Sequence, residues 1–486
     1  MEDEKGKQGS DGGIYKANER REEMEMEEES FASDFYRCGS DWSCLREEEV
    51  GTKRFKKNDE PFKLKQTNLF QIWGLNKPPS SSSPQEQQLR LRSASTRKSE
   101  AAKYDGKRGA DATGFGVSLS RPPPTSSPNC PFYKKIPGTP FTVDAFRHGA
   151  IPGCSSYFLT HFHSDHYAGL TKGWTHGPIY CTPLTARLLQ VCLNLSPLFI
   201  HPLEMNTGHI VHGIGVTLLE ANHCPGAAMI HFRLQNGQCY LHTGDFRASK
   251  SMQAYPLLAN GRVNMLYLDT TYCNPKYKLS KPRLSNQFLG NRRLFPCKEE
   301  VVSYVVRVTK DHLKKQPKTL VVVGAYSIGK ECVYLAISKA LRVKIFANAS
   351  RRRVLQSFEW PALSEGLCSN GKDTPLHILP ISSLHFENLK RYLKNYLDLY
   401  TSVLAFRPTG WTFSQTSGNS LELVKPTSRG NITIYGVPYS EHSSFTELQE
   451  FVKFLRSDKI IPTVNVGSAA IRDKMQSYFR EWMKSV

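Results

Sequence analysis

The sequence predicts a mixed α/β layered fold placed behind a long segment with no core of its own. Three observations predict it. From Pro131 onward, apolar runs of strand length recur and end on Gly, Asp or Asn turns. Helical patterns fall between and after those runs. In residues 1–130 few apolar residues recur at helix or strand spacing.

Taken in order, residues 1–130 run from an acidic stretch, Glu22 to Glu29, through a Ser/Pro/Gln segment, Pro78 to Gln88, to Arg121-Pro-Pro-Pro124. This reads as a disordered region, acidic first and then basic and Ser/Pro-rich. Within it, Lys53-Arg-Phe-Lys-Lys57 is a basic cluster of the kind that addresses a chain to the nucleus. Gln66-Thr-Asn-Leu69-Phe70-Gln-Ile72-Trp73 resembles the peptide that docks on replication sliding clamps, with Ile72 where an aromatic is usual. Expected strands follow at Tyr157–Thr160, Val216–Leu219, Ala228–Leu234, Cys239–His242 and Met265–Asp269, with a helix at Leu184–Leu195. A second pattern gives a helix at Val301–Leu313, a strand at Thr319–Val323 and a helix at Lys330–Leu341. The strand Ile432–Val437 precedes a helix opened by the capping box Ser444-Phe-Thr-Glu447, whose Phe445, Leu448, Phe451, Val452 and Leu455 share one face.

Charge narrows the partners. The chain has 486 residues, 64 Lys plus Arg and 44 Asp plus Glu, for a net +20. Residues 1–50 hold 7 basic and 16 acidic side chains, so the rest carries +29. A basic body with an acidic tail suits a polyanion, most simply nucleic acid. No run of about 18 uncharged apolar residues occurs, so no membrane span is expected. The 12 cysteines are scattered with no CxxC pair, which reads as reduced intracellular thiols.

The strongest motif is Thr160-His161-Phe-His163-Ser-Asp165-His166, directly after a strand. Alternation points His161 and His163 the same way, and Asp165 and His166 follow on a turn. Four such ligands within six residues suit a two-ion cluster with N/O ligands, zinc foremost. Asn222-His223-Cys-Pro-Gly226, His242-Thr-Gly-Asp245-Phe and Pro438-Tyr-Ser-Glu-His442 also follow strands, so their loops can converge on one sheet edge. Gly324-Ala-Tyr-Ser-Ile-Gly329-Lys330-Glu331 nearly spells a nucleotide-binding loop. Glu331 replaces the Ser/Thr that would hold magnesium, which argues against an ATPase. Small residues at a helix start can still present N–H groups to an anion, with Lys330 adding charge.

The order HxHxDH, NHCPG and TGDF, with Leu268-Asp269-Thr-Thr-Tyr272 and Tyr439-Ser-Glu-His442, resembles the β-CASP branch of the metallo-β-lactamase superfamily. It is most similar to the DNA interstrand cross-link repair nucleases, the group containing Artemis and Apollo. The resemblance covers about Phe141 to Trp482. It implies an αββα sandwich with an inserted β-CASP domain: 1–130 disordered, 131–276 the first part of the metallo-β-lactamase domain, 277–403 the β-CASP domain, and 404–486 the returning part. It further implies that His161, His163 and His223 hold a first metal and that Asp165, His166 and His442 hold a second, with Asp245 bridging. One or two zinc ions are implied, with Mg or Mn as the alternative in the second position. Asp165, His166, Asp269 and His377 become the catalytic set, with Asp144 supporting the loop beneath the metals. Ser327, Gly329, Lys330, Arg407, Trp411 and Ser440 become phosphate or DNA contacts.

The implied activity is a nuclear, metal-dependent 5′→3′ DNA exonuclease. It hydrolyses phosphodiester bonds by metal-bound hydroxide, on single or double strands bearing a 5′-phosphate, in cross-link repair and end processing. The alternatives are an RNA-processing β-CASP endonuclease and an Artemis-type DNA endonuclease. A catalytically dead scaffold would predict missing ligands, and none is missing from these motifs. Leu279–Pro296 looks longer and less patterned than the family's connection there, and carries basic but no acidic residues.

Overall fold

The computed structural model describes residues 129–279, 294–410 and 424–484. The segment expected to be disordered (but for its last two residues), the clamp-like peptide Gln66–Trp73, the basic cluster Lys53–Lys57, most of Leu279–Pro296 and Trp411 lie outside the described residues.

Two sheets pack face to face. The first runs β1 (Lys135–Ile136), β2 (Phe141–Val143), β3 (Ser156–Phe158), β4 (Ile179–Cys181) and β5 (Ile200–Pro202), parallel except for the β1–β2 pair. The second contains β6 (Gly208–Val211), β7 (Ile214–Glu220), β8 (Ala228–Arg233) and β9 (Cys239–His242), all antiparallel, with β10 (Met265–Leu268) added parallel to β9. Alternating residues of both sheets meet in one core. Phe141, Val143 and Phe158 from the first face Val216, Leu218, Ile230 and Phe232 from the second, and the Phe158 and Phe232 rings stand edge to face 5.2 Å apart. Helix Pro183–Leu193 lies against β5, opened by Thr182, whose hydroxyl accepts the Thr185 N–H at 3.3 Å. It closes two residues short of the expected Leu195, because Asn194 takes the left-handed conformation.

After a short parallel pair, β11 (Lys278–Leu279) with β12 (Leu294–Phe295), the chain builds a separate sheet. Its strands are β13 (Thr319–Ala325), β14 (Ile345–Phe346), β15 (Leu367–Cys368), β16 (Leu376–Pro380), β17 (Ser402–Pro408), β18 (Thr427–Arg429) and β19 (Ile432–Val437), in spatial order β15-β14-β16-β13-β17-β19-β18. Only the β18–β19 pair is antiparallel. β13 is buried along its whole length, as a parallel strand covered on both faces should be. One face is closed by Leu384, Leu389 and Leu393 over Leu320, Val322, Val403 and Ala405. Helix Lys298–Lys315 packs against helix Glu331–Leu341, and each also touches this sheet.

The chain then returns to the sandwich through helix Phe445–Leu455. The expected capping box is formed: Ser444 Oγ accepts the Glu447 N–H at 3.2 Å and Glu447 Oε2 accepts the Ser444 N–H at 2.6 Å. β20 (Lys459–Pro462) adds parallel to β10, and helix Ala469–Lys484 lies against it. Among the described residues no helix is long and apolar enough to cross a membrane, and the cysteines are free thiols.

Two differences from the sequence expectation are instructive. β3 stops at Phe158 rather than Thr160 because the Thr160 N–H leaves the ladder for Asp144 Oδ1 at 2.9 Å. The helix expected from Lys330 begins at Glu331 because Lys330 has φ 73°, outside the helical region.

Candidate metal centre

The site forms where β3, β7, β9, β10 and β19 end on the same side. Each loop leaving these strands carries part of one donor set. The Thr160 carbonyl accepts the Ala228 N–H at 3.0 Å, tying the HxHxDH loop of the first sheet to the second. Gly244 allows the close approach behind it: at φ +55° its position would place a Cβ 2.7 Å from Thr160 Cβ.

Five imidazoles and Asp245 converge. His163 Nδ1 is 2.9 Å from His161 Nε2 and 3.1 Å from His223 Nε2. Asp245 Oδ2 is 3.2 Å from His166 Nε2, 3.8 Å from both His161 Nε2 and His223 Nε2, and 4.0 Å from His442 Nε2. The Cys224 sulfur joins His161, His163 and His223 in a group whose ligand atoms lie within 4.8 Å of one another. His161–His166–Asp245 and His223–Asp245–His442 form two more groups of the same kind.

The far nitrogen of each ring is held by an oxygen. His166 Nδ1 meets Asp144 Oδ2 at 2.7 Å, and His442 Nδ1 meets Asp269 Oδ2 at 2.7 Å. His223 Nδ1 meets the Glu441 carbonyl at 2.8 Å, His161 Nδ1 the Thr160 hydroxyl at 3.0 Å, and His163 Nε2 the Ile328 carbonyl at 3.4 Å. A back N–H donating to oxygen leaves the front nitrogen a lone pair. Several lone pairs and a carboxylate facing each other at 3–4 Å repel unless cations lie between them. The donor set therefore fits divalent ions, and tetrahedral zinc with nitrogen ligands at about 2.0–2.1 Å spaces its ligands on this scale.

The titration behaviour separates the rings into two kinds. Burial, then the neighbouring imidazoles, holds His161 and His223 well below the ordinary histidine range, so both are neutral and ready to bind. Burial would also lower His442, but Asp269 and Asp245 outweigh it and raise it to about 9. His166 is raised well above its ordinary value, because Asp245 and Asp144 outweigh its burial. Asp245 is held well below the carboxylate range: burial opposes ionisation, but His166 and the other imidazoles prevail.

The expected supporting acids are in place. Asp144 is buried at φ 52° and also accepts Thr160 N–H and Oγ1–H, at 2.9 and 2.8 Å. Asp269 is buried and accepts the Thr271 N–H and hydroxyl at 2.9 and 2.6 Å. Asp165 is different. Its side chain is 74% exposed at the mouth of the site, 3.6 Å from His166 Nε2.

Several expected residues are not brought to the cluster. His377 sits within the separate sheet, fully buried. Its Nδ1 meets the Tyr392 hydroxyl at 2.8 Å and its Nε2 the Gly371 carbonyl at 2.8 Å. Both nitrogens are thus occupied, burial lowers it to about 4, and in this arrangement it braces the separate sheet. Arg407 is half-buried and donates to the Leu384 carbonyl. Ser440 is buried and shapes the turn carrying His442, accepting the His442 N–H at 3.0 Å and donating to its carbonyl at 3.1 Å.

In the loop expected to cradle a phosphate, the Gly329 N–H donates to Glu331 Oε1 at 2.7 Å and the Lys330 N–H to Glu441 Oε1 at 3.0 Å. The Lys330 ammonium also binds Glu441. Only Ser327, half-buried, and the neighbouring Tyr326, 45% exposed, remain open. Sequence reasoning missed Glu441, although it lies beside His442. It also missed Lys298, whose buried Nζ holds the Asn222 carbonyl at 2.6 Å and so fixes the turn before His223. The left-handed Asn222, at φ 53°, was the available signal, since Asn tolerates that conformation.

Comparison with known proteins adds the following. The family description "DNA repair metallo-beta-lactamase" matches residues 361–468. The chain is 59% identical over 475 residues to the DNA cross-link repair protein SNM1 of Arabidopsis thaliana, covering 94% of this chain and 91% of that one. It is 47% identical to the human DNA cross-link repair 1A protein over 73% of this chain, and spans 32% of that longer protein. It is 34% identical to the 5′ exonuclease Apollo of Gallus gallus, over 68% of this chain and 63% of that one.

Proposed function

The chain belongs to the DNA cross-link repair metallo-β-lactamase/β-CASP family, and from that premise we propose that it is a metal-dependent DNA nuclease that degrades strands from the 5′ end. The observation that carries the nuclease reading is the convergence of five histidines and Asp245, each ring braced from behind by an oxygen. His161, His163 and His223 would hold one ion, Asp165, His166 and His442 a second, and Asp245 both. A bound pair of ions supplies Lewis-acid polarisation of a phosphoryl oxygen and acidifies water.

The chain's own residues supply the rest. Asp144 and Asp269 fix the tautomers of His166 and His442, so that each Nε2 faces Asp245 and the ion position beside it. Asp165, exposed at the mouth, orients the attacking water along the line of the scissile bond and accepts its proton at a carboxylate oxygen. The loop 325–331 touches the centre through the Ile328 carbonyl, 3.4 Å from His163 Nε2, so Tyr326 and Ser327 stand beside it. A terminal base can stack on Tyr326 and a terminal phosphate can bond Ser327, which supports a 5′-end start. The name of the similar Apollo protein points the same way. Zinc is the proposed metal, the nucleus the proposed compartment, and Gln66–Trp73 a proposed sliding-clamp contact.

The domain division at 277 and 403 also stands as a proposal. Because β17 and β19 pair within the inserted sheet, the return to the sandwich is better drawn after Val437.

The test is an assay of the purified full chain on labelled DNA strands with a 5′-phosphate or a 5′-hydroxyl. The expected result is 5′-end loss that prefers the phosphate and stops on chelation. Equal cutting of RNA, or purely internal cutting, would overturn the 5′-exonuclease reading.

A further inference from the structure

We propose that Lys330 and Glu441 form an internal bracket that positions the metal ligand His223, and that Lys330 therefore serves the metal centre rather than the DNA phosphate. The inference rests on the metal-centre reading above.

Four observations converge. First, the loop is already filled by carboxylates. Glu441 receives both the N–H and the ammonium of Lys330, while Glu331 receives the Gly329 N–H. The anion that this loop cradles belongs to the chain itself. Second, the pair is inside the protein: Lys330 and Glu441 are each 5% exposed, and the Lys330 ammonium lies 4.9 Å over the Tyr439 ring. Third, the backbone is bent to fit the carboxylate. Lys330 is left-handed at φ 73° and Gly329 is at φ +94°, where an added Cβ would stand 3.1 Å from Glu441 Oε2. A lysine holds such a conformation only when its surroundings impose it. Fourth, the same Glu441 turns its carbonyl to His223 Nδ1 at 2.8 Å, and its neighbour in sequence is His442.

The mechanical consequence is direct. The Glu441 side chain is pinned by Lys330, and its backbone sets the ring of His223. Without Lys330, the Glu441 carboxylate would be left buried without its bound ammonium, and would move toward water. The carbonyl would move with it, and His223 would lose the acceptor that fixes its tautomer. Lys330 is thus a positioning residue, acting on a ligand 107 positions earlier through an acid 111 positions later.

The experiment measures Zn(II) affinity of the full chain by competition with a chromophoric chelator, alongside 5′-phosphate preference. Lys330→Met should lower zinc affinity on the order of 10- to 100-fold, the usual effect of removing an outer partner of a ligand. The double variant Lys330→Met/Glu441→Gln should recover part of that loss, because no unbalanced charge remains. Leu320→Ala, in the core of the inserted sheet, controls for general destabilisation and should leave zinc affinity unchanged. If Lys330→Met keeps its zinc affinity and loses only the phosphate preference, Lys330 is a substrate contact and the bracket is refuted. Should Lys330→Met fail to fold, Glu441→Gln alone decides: lower zinc affinity supports the bracket, unchanged affinity refutes it. A wild-type chain that binds no zinc would instead defeat the metal-centre reading, a separate outcome.

Discussion

The chain gathers buried charge in two adjoining places, and they are built on opposite plans. In the metal centre, potential ligands face one another: five imidazoles and one carboxylate converge, their ligand atoms turned inward. Around Lys330, unlike groups face one another: the Gly329 and Lys330 N–H groups and the Lys330 ammonium already have their acceptors in Glu331 or Glu441. The first is incomplete until ions arrive. The second is complete as folded. A polar cluster that is satisfied internally holds a shape, whereas one left with converging lone pairs holds a ligand.

The contrast can be broken by substitution. Asp245→Ala removes the carboxylate proposed to bridge the two ion positions, and should lower DNA cleavage by more than about 100-fold. Outer partners alone are worth about 10- to 100-fold. Residual cleavage near the wild-type level in a chelator-controlled assay would deny Asp245 its bridging place. Asp144→Asn, which keeps the shape but not the charge behind His166, should lower zinc affinity by about 10-fold or more in a chelator competition.

The metal-free protein offers a third test. His442 is raised to about 9 and His166 also lies above its ordinary value, so both bind protons more tightly folded than unfolded. Their contribution is fully present below about pH 6.5 and fades as pH rises toward 9. The melting temperature of the chelated protein should therefore fall by several degrees over that range, while the stabilisation added by zinc should grow, because the ligands must lose protons to bind. A flat profile for the chelated protein would show that these imidazoles carry no such charge.

The smallest effect on catalysis is expected at His377. His377→Ala should cost about 1–3 kcal/mol in urea unfolding, for the Tyr392 hydroxyl and Gly371 carbonyl it leaves unsatisfied, with turnover per folded molecule unchanged. Lost turnover in a fully folded variant would restore it to the catalytic set.

The centre was legible where its ligands are local. His161, His163, Asp165 and His166 lie in one turn, and His223, Asp245 and His442 each follow a recognisable strand. The layering was legible too, since β9 and β19 end at the expected residues. What the sequence hid depends on packing between distant segments. Nothing near Lys330 announces that Glu441 will enter its loop. The one hint was Glu331 in place of the Ser/Thr of a nucleotide-binding loop: an acid at an anion cradle suggests that the cradle fills itself. Helix Lys298–Lys315 starts earlier than the apolar pattern suggested because a thiol caps it, with Cys297 Sγ accepting the Glu300 N–H at 3.4 Å. His377 was not separable by sequence, because a histidine on a strand before proline looks the same whether it serves chemistry or holds a fold together.

One feature of the architecture bears on the life of the chain before it is finished. The ligands come from opposite ends of the folded region, His161–His166 early and His442 after the whole inserted sheet. During synthesis His161, His163 and His223 exist long before the Glu441 carbonyl that meets His223 Nδ1, and before His442 can join the cluster. A ribosome-bound or prematurely terminated chain would carry most of the chain's basic residues without a complete donor cluster. The enzyme's chemistry is in effect switched on by its own completion.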